Sequence, residues 1–288
     1  MLFCLKKVML GVKYFIGLNL AFSLFVLSAQ NRQIPMDQVA YFCRPCSADC
    51  DHIAFDEPGS CPHCGMALEK KSYGQQIRDI NNRMKIAFYL QDGVEVLDFA
   101  GPMEVFAYAG YDVFTVSKTK DPMITQGVLT FIPDYSIANA PAADVVAFFG
   151  GNSGLPVRDK EVIQWVKNQK ESADYFLSVC TGAFILAEAG ILDGKTATTF
   201  HSALDNLENN YKQVKVLRDV RFVDNGNVIT TAGISAGIDG ALHLVAKLNG
   251  LKAAEAVAFY MEYDKWVPGE GLILDPSTKE IYSATTPE

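Results

Sequence analysis

The chain has 288 residues, of which 25 are Lys or Arg and 33 are Asp or Glu, so its formal net charge is −8. Hydrophobic residues make up 49% of the chain and charged residues 20%, a composition that excludes wholesale disorder and fibrous folds. The length fits one large domain or two smaller ones. Because an acidic chain without a basic run is poorly suited to grip a phosphate backbone, we expect no nucleic-acid partner.

The first segment, residues 1–29, has the pattern of an export signal. Its charged side chains are Lys6, Lys7 and Lys13, and a short apolar stretch leads from them to Ala29. A basic start, an apolar core and small residues at the exit are typical of a secretory signal peptide, and the core is shorter than the ~20 residues of a membrane span. We therefore predict an exported protein, periplasmic or extracellular, with an uncleaved N-terminal anchor as the alternative.

A small cysteine-rich module is predicted over residues 38–71. Cys43 and Cys46 form one Cys-x-x-Cys pair, and Cys61 and Cys64 form a second, so four thiolates could surround one ion tetrahedrally. A segment this short cannot bury enough apolar surface by itself and needs a metal or disulfides. The paired spacing favours zinc or another soft or borderline metal, whereas disulfides are the alternative in an exported protein.

Further ligand-type side chains lie near these pairs, and we assign Cys50, His52 and His63 as reserve or outer ligands. The segment resembles the heavy-metal-binding (YHS-like) modules through Tyr-Phe-Cys at 41–43 and Pro-Gly-Ser-Cys-Pro-His-Cys-Gly-Met at 58–66. That family usually has Cys-Pro-Met-His at its first pair. Cys46 stands where the histidine would, which favours a thiolate-rich site.

Between residues 84 and 266 short apolar runs alternate with segments of helical periodicity. This alternation predicts one α/β domain with a parallel sheet and helices on both faces. The polar residues 72–83 before it are predicted to be a linker, and residues 267–288 after it a tail. We expect strands at 85–90, 112–117, 144–149, 175–179 and 227–231, and helices at 98–109, 159–170, 181–189, 235–248 and 252–263.

Cys180 is the candidate nucleophile. It ends an apolar strand and opens a helix in Ser-Val-Cys-Thr-Gly, which is the sequence context of a nucleophile elbow at the carboxyl end of a strand. The positive end of the helix should favour the thiolate, so we expect the pKa of Cys180 to lie below the ~8.5 of a free cysteine. A buried core cysteine is the alternative interpretation.

Two other strand ends should meet this cysteine. Gly150 and Gly151 follow a strand, and with Thr181 their backbone N–H groups could bind an anion; a plain turn is the alternative. Asp98 opens a helix after the first strand. It is either a helix cap or a carboxyl group that exchanges a proton with the thiol.

The domain resembles the ThiJ/PfpI superfamily, whose flavodoxin-like fold is related to class I glutamine amidotransferases. The resemblance implies that Cys180 is the nucleophile, Asp98 its acidic partner, and Gly151 and Thr181 the oxyanion donors, with no cofactor for catalysis and with homodimers common. It rests on Gly-Val-Glu-Val-Leu-Asp-Phe-Ala-Gly-Pro at 93–102, Phe-Gly-Gly at 149–151, Val-Cys-Thr-Gly-Ala at 179–183, Gly-Ile-Leu-Asp-Gly at 190–194, Ala-Thr-Thr-Phe-His at 197–201 and Thr-Ala-Gly-Ile-Ser-Ala-Gly-Ile-Asp at 231–239.

Within the superfamily, the residues around the cysteine are most similar to the isonitrile hydratase branch. Peptidase-like and glyoxalase-like members usually have His directly after the nucleophile, where this chain has Thr181. Glutaminase-type members have Glu two residues beyond their His, where Ala203 follows His201. His201 also lies one step later than the family's usual His, and we keep it as a candidate site residue. His243, on an apolar helix, is predicted to be a core or interface residue.

Two functions follow from these patterns. The first is an enzyme in which Cys180 attacks an electrophilic carbon of a small molecule, such as an isonitrile, and water releases the product. The second is a binding or sensing protein in which Cys180 is a redox switch or is unused, and the metal module carries the function. The ligand-sensing half of AraC-type regulators carries similar motifs, but export and acidity argue against a regulator.

Overall fold

The computed structural model describes residues 36–44 and 49–283. The predicted signal peptide and Cys46 therefore lie outside the described residues. All described residues belong to one unit of the chain. Within these ranges, no helix is long and apolar enough to cross a membrane.

The secondary structure alternates short strands with helices, as the apolar pattern predicts. The strands are β1 Val39–Phe42, β2 Ala54–Phe55, β3 Glu69–Ser72, β4 Lys85–Tyr89, β5 Asp112–Ser117, β6 Met123–Ile124, β7 Thr130–Phe131, β8 Tyr135–Ser136, β9 Val145–Phe148, β10 Tyr175–Val179, β11 Thr196–Ala197, β12 Lys215–Val216, β13 Phe222–Asp224, β14 Val228–Thr231 and β15 Leu272–Ile273. The helices are α1 Tyr73–Asn81, α2 Val96–Tyr108, α3 Gly154–Arg158, α4 Lys160–Asn168, α5 Ala183–Glu188, α6 Leu204–Asn210, α7 Ala236–Asn249, α8 Leu251–Tyr260 and α9 Pro276–Ser283.

The cysteine-rich module is a three-stranded antiparallel sheet in the order β2-β1-β3, followed by α1. Residues 72–83, which their polarity predicts to be a linker, instead form this helix. The helix forms because it has a buried side: Gln76 is 2% exposed, and its amide donates hydrogen bonds to backbone carbonyls of the module. The sequence did not indicate this contact, because the buried side chain of Gln76 is polar and polar residues are usually exposed.

The α/β domain has a mostly parallel sheet with helices on both faces, which confirms the predicted fold class. In the described residues the sheet has eight strands in the order β15-β13-β14-β10-β9-β4-β5-β8, and β13 runs antiparallel to β14. Side chains alternate between the faces. Ile86 and Phe88 of β4 join the core formed with α2, α7 and α8, whereas Ala87 and Tyr89 join the core formed with α4 and α5.

The C-terminal residues, which the sequence predicts to be a tail, are built into the domain. β15 extends the sheet beside β13, and α9 brings the Tyr282 hydroxyl to 2.7 Å from His243 Nδ1. His243 is fully buried and its Nε2 lies 2.9 Å from Asp224 Oδ2. Lys247 Nζ donates to Asp224 and to Asp275. His243 is therefore a core residue, as predicted, and anchors the C-terminal segment.

Strands β10, β9 and β4 are neighbours and run parallel. Their carboxyl ends therefore meet at one edge of the sheet, where α/β proteins bind ligands. Cys180 follows β10, Gly150 follows β9 and Asp98 follows β4. The strand order thus brings together three residues that lie far apart in the sequence.

Candidate functional site

Cys180 occupies a strained turn between β10 and α5. Its φ of +57° is in the left-handed region that side chains rarely adopt. Its N–H donates to Ala232 O at 2.9 Å, and its carbonyl accepts from Thr199 Oγ1 at 2.6 Å. A Cβ on Gly182 would lie 2.3 Å from Phe148 O, so only glycine permits this close turn. The geometry is that of the predicted nucleophile elbow.

Asp98 lies in the first turn of α2 and faces the same point. It is fully buried, and its Oδ2 accepts the Gly150 N–H at 2.9 Å. A Cβ on Gly150 would lie 2.7 Å from both Asp98 Oδ2 and Cys180 Sγ. Because Gly150 has no side chain, the Asp98 carboxyl group and the Cys180 thiol can both pack directly against its backbone.

The charges of this pair correct one expectation from the sequence. Burial, and then the Asp98 carboxylate, raise the pKa of Cys180 to about 12, and the opposing Thr181 N–H is too weak to lower it. Burial, with a smaller contribution from Glu95, raises the pKa of Asp98 to about 7. The prediction of an unusually acidic thiol is wrong, because desolvation outweighs the helix N-terminus. Above pH 7 the Asp98 carboxyl is ionised and the remaining proton stays on the Cys180 thiol.

Gly151 and Thr181 supply backbone groups beside the pair. Gly93 O accepts the Asn152 N–H, and the Glu95 N–H donates to Gly150 O. Gly151 lies between these two hydrogen bonds, in an isolated antiparallel bridge with Val94. A residue in this position of a bridge points its own N–H away from the partner strand. The bridge therefore does not use the Gly151 N–H, and the role of Gly151 as an anion donor stays a prediction. The Thr181 N–H acts on the sulfur itself.

His201 and Phe200 begin a short 3-10 turn after β11. The structure exposes His201, whose ring packs on Phe200 with the centroids 4.3 Å apart. A Cβ on Gly233 would lie 2.7 Å from the Phe200 ring and 3.0 Å from Cys180 Sγ. Phe200 therefore borders the thiol through Gly233, whereas the role of His201 stays a prediction.

A cavity of about 320 Å³ opens beside the elbow. Thr181 and Phe184 line one side, and Ser153 and Tyr211 lie on others. Cys180 is only 6% exposed, so a molecule that reaches the sulfur must be small. The arrangement can bind a short substrate, accept a thiol proton on a carboxylate and stabilise a developing negative charge.

The second candidate site is the cysteine cluster of the module. The sulfur atoms of Cys43, Cys50, Cys61 and Cys64 all lie within 4.8 Å of one another. Cys43 and Cys64 sulfurs are 3.1 Å apart, and those of Cys50 and Cys64 are 3.9 Å apart. None of the described cysteines forms a disulfide. Three predicted ligands are thus brought together, Cys50 joins them from its 3-10 turn, and Cys46 stays a prediction.

The cluster suits a cation. Gly65, with φ +76°, closes a tight loop in which its N–H donates to Cys61 O at 2.8 Å. Burial opposes ionisation of Cys61, but the N–H groups of Cys64 and His63 point at its sulfur and lower its pKa. Burial and the neighbouring sulfurs raise the pKa of Cys43. A soft or borderline cation would remove this repulsion, so the donors fit the metal that the sequence implies.

The module contacts the α/β domain through α8. The Tyr260 hydroxyl donates to the carbonyl of Cys64, and a Cβ on Gly65 would lie 3.3 Å from the Tyr260 ring. The ring also packs against Tyr108 of α2, with the centroids 4.2 Å apart. The cysteine loop is thus attached to the helix whose other end carries Asp98.

Sequence reasoning missed one buried residue at the thiol site. Gln91 follows β4, is 3% exposed, and donates to the carbonyls of Phe149 and Gly150. A polar residue directly after a buried strand, at the edge where Asp98 and Cys180 lie, was the available signal. It was hidden because the next residues, Asp92 and Gly93, read as an ordinary turn.

Residues 84–247 match the DJ-1/PfpI family, and residues 45–71 match the heavy metal binding domain. The first match covers more than half of the sequence, so the chain belongs to the DJ-1/PfpI family. This agrees with the motifs around Cys180 and Asp98 and with the observed sheet. The second match agrees with the cysteine cluster.

Known relatives include both an enzyme and regulators. The chain is 35% identical to the isonitrile hydratase of Pseudomonas putida over 185 residues, or 62% of this chain and 78% of that protein. It is 27% identical to the HTH-type transcriptional regulator CdhR of Pseudomonas aeruginosa over 59% of this chain. That alignment spans 52% of the regulator, so the chain matches about half of it.

Two crystal structures show the same fold. A ThiJ/PfpI family protein from Pseudomonas syringae matches with a TM-score of 0.60 and 31% identity, over 65% of this chain and 78% of that protein. Drosophila melanogaster DJ-1beta matches with a TM-score of 0.58 and 23% identity, over 62% of this chain and 98% of that protein.

Proposed function

We propose that the chain is a cysteine-dependent enzyme that adds water to an isonitrile to give an N-formamide. The observation that carries the proposal is the buried pair of Cys180 and Asp98, which both pack against the backbone of Gly150. The similarity to an isonitrile hydratase supports this reaction. The small recess beside Thr181 suits a short substrate better than a peptide.

In the first step Cys180 passes its proton to Asp98 and its sulfur bonds to the terminal isonitrile carbon. The negative charge that develops on that carbon is removed when Asp98 returns the proton there, which leaves a thioformimidate. This exchange matches a pair that holds one proton above pH 7.

In the second step water adds to the same carbon across the carbon–nitrogen double bond. Asp98 accepts one proton from the water and delivers it to the nitrogen, so the adduct carries a hydroxyl group on carbon and an N–H. The N–H groups of Gly151 and Thr181 stabilise the oxygen of the adduct as it gains charge. As the adduct collapses, its hydroxyl proton passes by way of Asp98 to the departing sulfur, which breaks the carbon–sulfur bond, releases the N-formamide and restores the Cys180 thiol.

The test is the hydration of a small alkyl isonitrile, measured as the decrease of its infrared absorption band. Cys180→Ala should abolish turnover, whereas Cys50→Ala, which changes a cysteine of the other site, should retain most of it. A Cys180→Ala protein with undiminished turnover would remove the mechanism. A wild-type protein that turns over no isonitrile but reversibly oxidises at Cys180 would favour the sensing function.

We further propose that Cys43, Cys50, Cys61 and Cys64 bind zinc or another thiolate-preferring metal. The convergence of the four sulfur atoms and the match to the heavy metal binding domain support this. Mass spectrometry of native protein purified without added metal should find close to one ion per chain. Cys61→Ser should lower that ratio at least tenfold, and a Cys46→Ser control tests whether the sulfur predicted as a ligand is needed.

We propose that the protein is exported, because residues 1–29 combine a basic start, an apolar core and a small exit residue. N-terminal sequencing of the protein recovered from the periplasm or medium should begin at Gln30. Recovery of an uncleaved chain in the membrane fraction would contradict cleavage. We also propose a homodimer, in line with the resemblance, and light scattering coupled to gel filtration tests it.

A further inference from the structure

One buried side chain supports the glycine loop of the thiol site without contacting the reacting sulfur. Gln91 Nε2 donates to Phe149 O at 3.1 Å and to Gly150 O at 3.0 Å. Its Oε1 is buried and has no hydrogen-bond partner among the described residues. The orientation of the Gln91 amide is therefore set by these two carbonyls.

The two carbonyls belong to successive peptide planes. In a trans peptide the C=O and the following N–H point in opposite directions. Fixing Phe149 O therefore fixes the direction of the Gly150 N–H, which donates to Asp98 Oδ2 at 2.9 Å. Fixing Gly150 O likewise fixes the direction of the Gly151 N–H.

This loop needs an external restraint because glycine backbone rotates freely. Gly151 has φ +83°, and a Cβ there would lie 2.3 Å from Gly93 O, so the loop cannot be stiffened by a side chain of its own. Apart from Gln91, Gly150 O accepts the Glu95 N–H at the longer distance of 3.2 Å. The buried amide is the donor that holds both planes.

We propose that Gln91 is a positioning residue that aims two successive backbone N–H groups, one at Asp98 and the next at the charge that develops on the substrate. The second role rests on the proposed function. The first depends only on the Asp98–Cys180 pair and can be tested without any substrate.

The test is Gln91→Met, which keeps the side-chain length and removes the donor. Gln76→Met is a matched control, because Gln76 is 2% exposed and its Nε2 donates to Cys43 O at 3.0 Å and Asp51 O at 2.7 Å. Each variant loses two hydrogen bonds from a buried amide to backbone carbonyls, so their melting temperatures should fall similarly. Only Gln91 lies at the thiol site.

The first readout is the rate of alkylation of Cys180 by iodoacetamide against pH, followed by mass spectrometry of its peptide. The charged groups that act on this thiol are Asp98 and Glu95. We expect the wild-type rate to rise through about pH 7 as Asp98 ionises. Gln91→Met should move that rise upward by about one pH unit, because the Gly150 N–H no longer stabilises the carboxylate. Gln76→Met should leave it in place.

The second readout is isonitrile turnover, where Gln91→Met should lower kcat about 100-fold with little change in KM. An unchanged alkylation profile in folded Gln91→Met overturns the proposal, whatever the turnover. A shifted profile in a protein that hydrates no isonitrile supports Gln91 as a positioning residue and removes the proposed substrate. If Gln91→Met fails to fold, Gln91→Asn, whose amide is withdrawn by one methylene, is measured by the same readouts.

Discussion

At the scale of single residues, the burial of Asp98 beside Cys180 has a cost in stability. The pKa of Asp98 is about 7 in the folded protein, against 3.8 for the ordinary group. Between these values the folded state holds a proton that the unfolded state has lost, so stability falls as pH rises from about 4 to 7. Above pH 7 the ionised buried carboxylate costs a few kcal/mol, up to about 4.

We therefore expect Asp98→Asn to be more stable than the wild type at pH 8 and nearly equal to it at pH 4. The amide can still accept the Gly150 N–H but carries no charge. Urea unfolding at both pH values measures the difference, with Asp264→Asn, at an exposed site, as the control. An Asp98→Asn protein that is less stable at pH 8 would show that the carboxylate is not strained by burial.

A second residue-scale prediction concerns the glycine beneath the pair. Gly150→Ala would place a Cβ 2.7 Å from Asp98 Oδ2 and from Cys180 Sγ, so we expect loss of turnover and a destabilisation of about 1–3 kcal/mol. Gly154→Ala is the control for stability, because its Cβ would meet only the movable end of Arg158. Thermal unfolding of both variants and turnover of Gly150→Ala test this. Full activity in Gly150→Ala would contradict the close approach.

The residues of the thiol site could largely be predicted from the sequence, but their charge states could not. Cys180, Asp98 and Gly151 each follow a strand, and strand ends meet at one edge, so their convergence follows from the α/β pattern. The pKa of Cys180 depends on how deeply the sulfur is buried and on the distance to Asp98, which no sequence spacing gives. Cys50 joined the cluster for a similar reason, since the turn that aims it is not visible in the motif.

At the scale of elements, the last strand and helix are held by buried charges. Lys247 Nζ lies 3.0 Å from Asp224 and 2.9 Å from Asp275, and Asp224 is fully buried. Burial opposes ionisation of Asp224, but His243 and Lys247 outweigh it and lower its pKa. The tail was missed in the sequence because these contacts join residues far apart along the chain.

Lys247→Met should therefore cost about 3 kcal/mol, because buried Asp224 loses its lysine cation and keeps its contact with His243. The control is Lys265→Met, whose partner Asp264 is exposed and whose loss should cost under about 1 kcal/mol. Denaturant unfolding of both variants gives the comparison. Equal stabilities would mean that the C-terminal segment does not depend on this network.

At the scale of the whole molecule, the hydrogen bond from Tyr260 to Cys64 O links the cysteine cluster with the α/β domain. Both Trp residues, Trp165 and Trp266, lie outside the module, so Trp fluorescence reports on the α/β domain. Chelation of the metal should lower the melting temperature seen by Trp, because ligand binding stabilises every element that unfolds with the site.

Tyr260→Phe should reduce that effect of chelation, since the ring remains and the hydrogen bond is lost. Tyr211→Phe loses a hydroxyl that donates to Glu188, away from the module, and should respond to chelation like the wild type. A chelator that leaves the Trp-detected melting temperature of the wild type unchanged would show that the two parts unfold independently.

Cys180 is only 6% exposed, and Phe200 borders its sulfur through Gly233, which limits how an oxidant can approach the thiol. Thiol–disulfide exchange requires a near-linear arrangement of three sulfur atoms, which burial of the sulfur makes difficult for a bulky disulfide such as oxidised glutathione. The same burial that raises the pKa of Cys180 therefore also slows the formation of a mixed disulfide at this thiol.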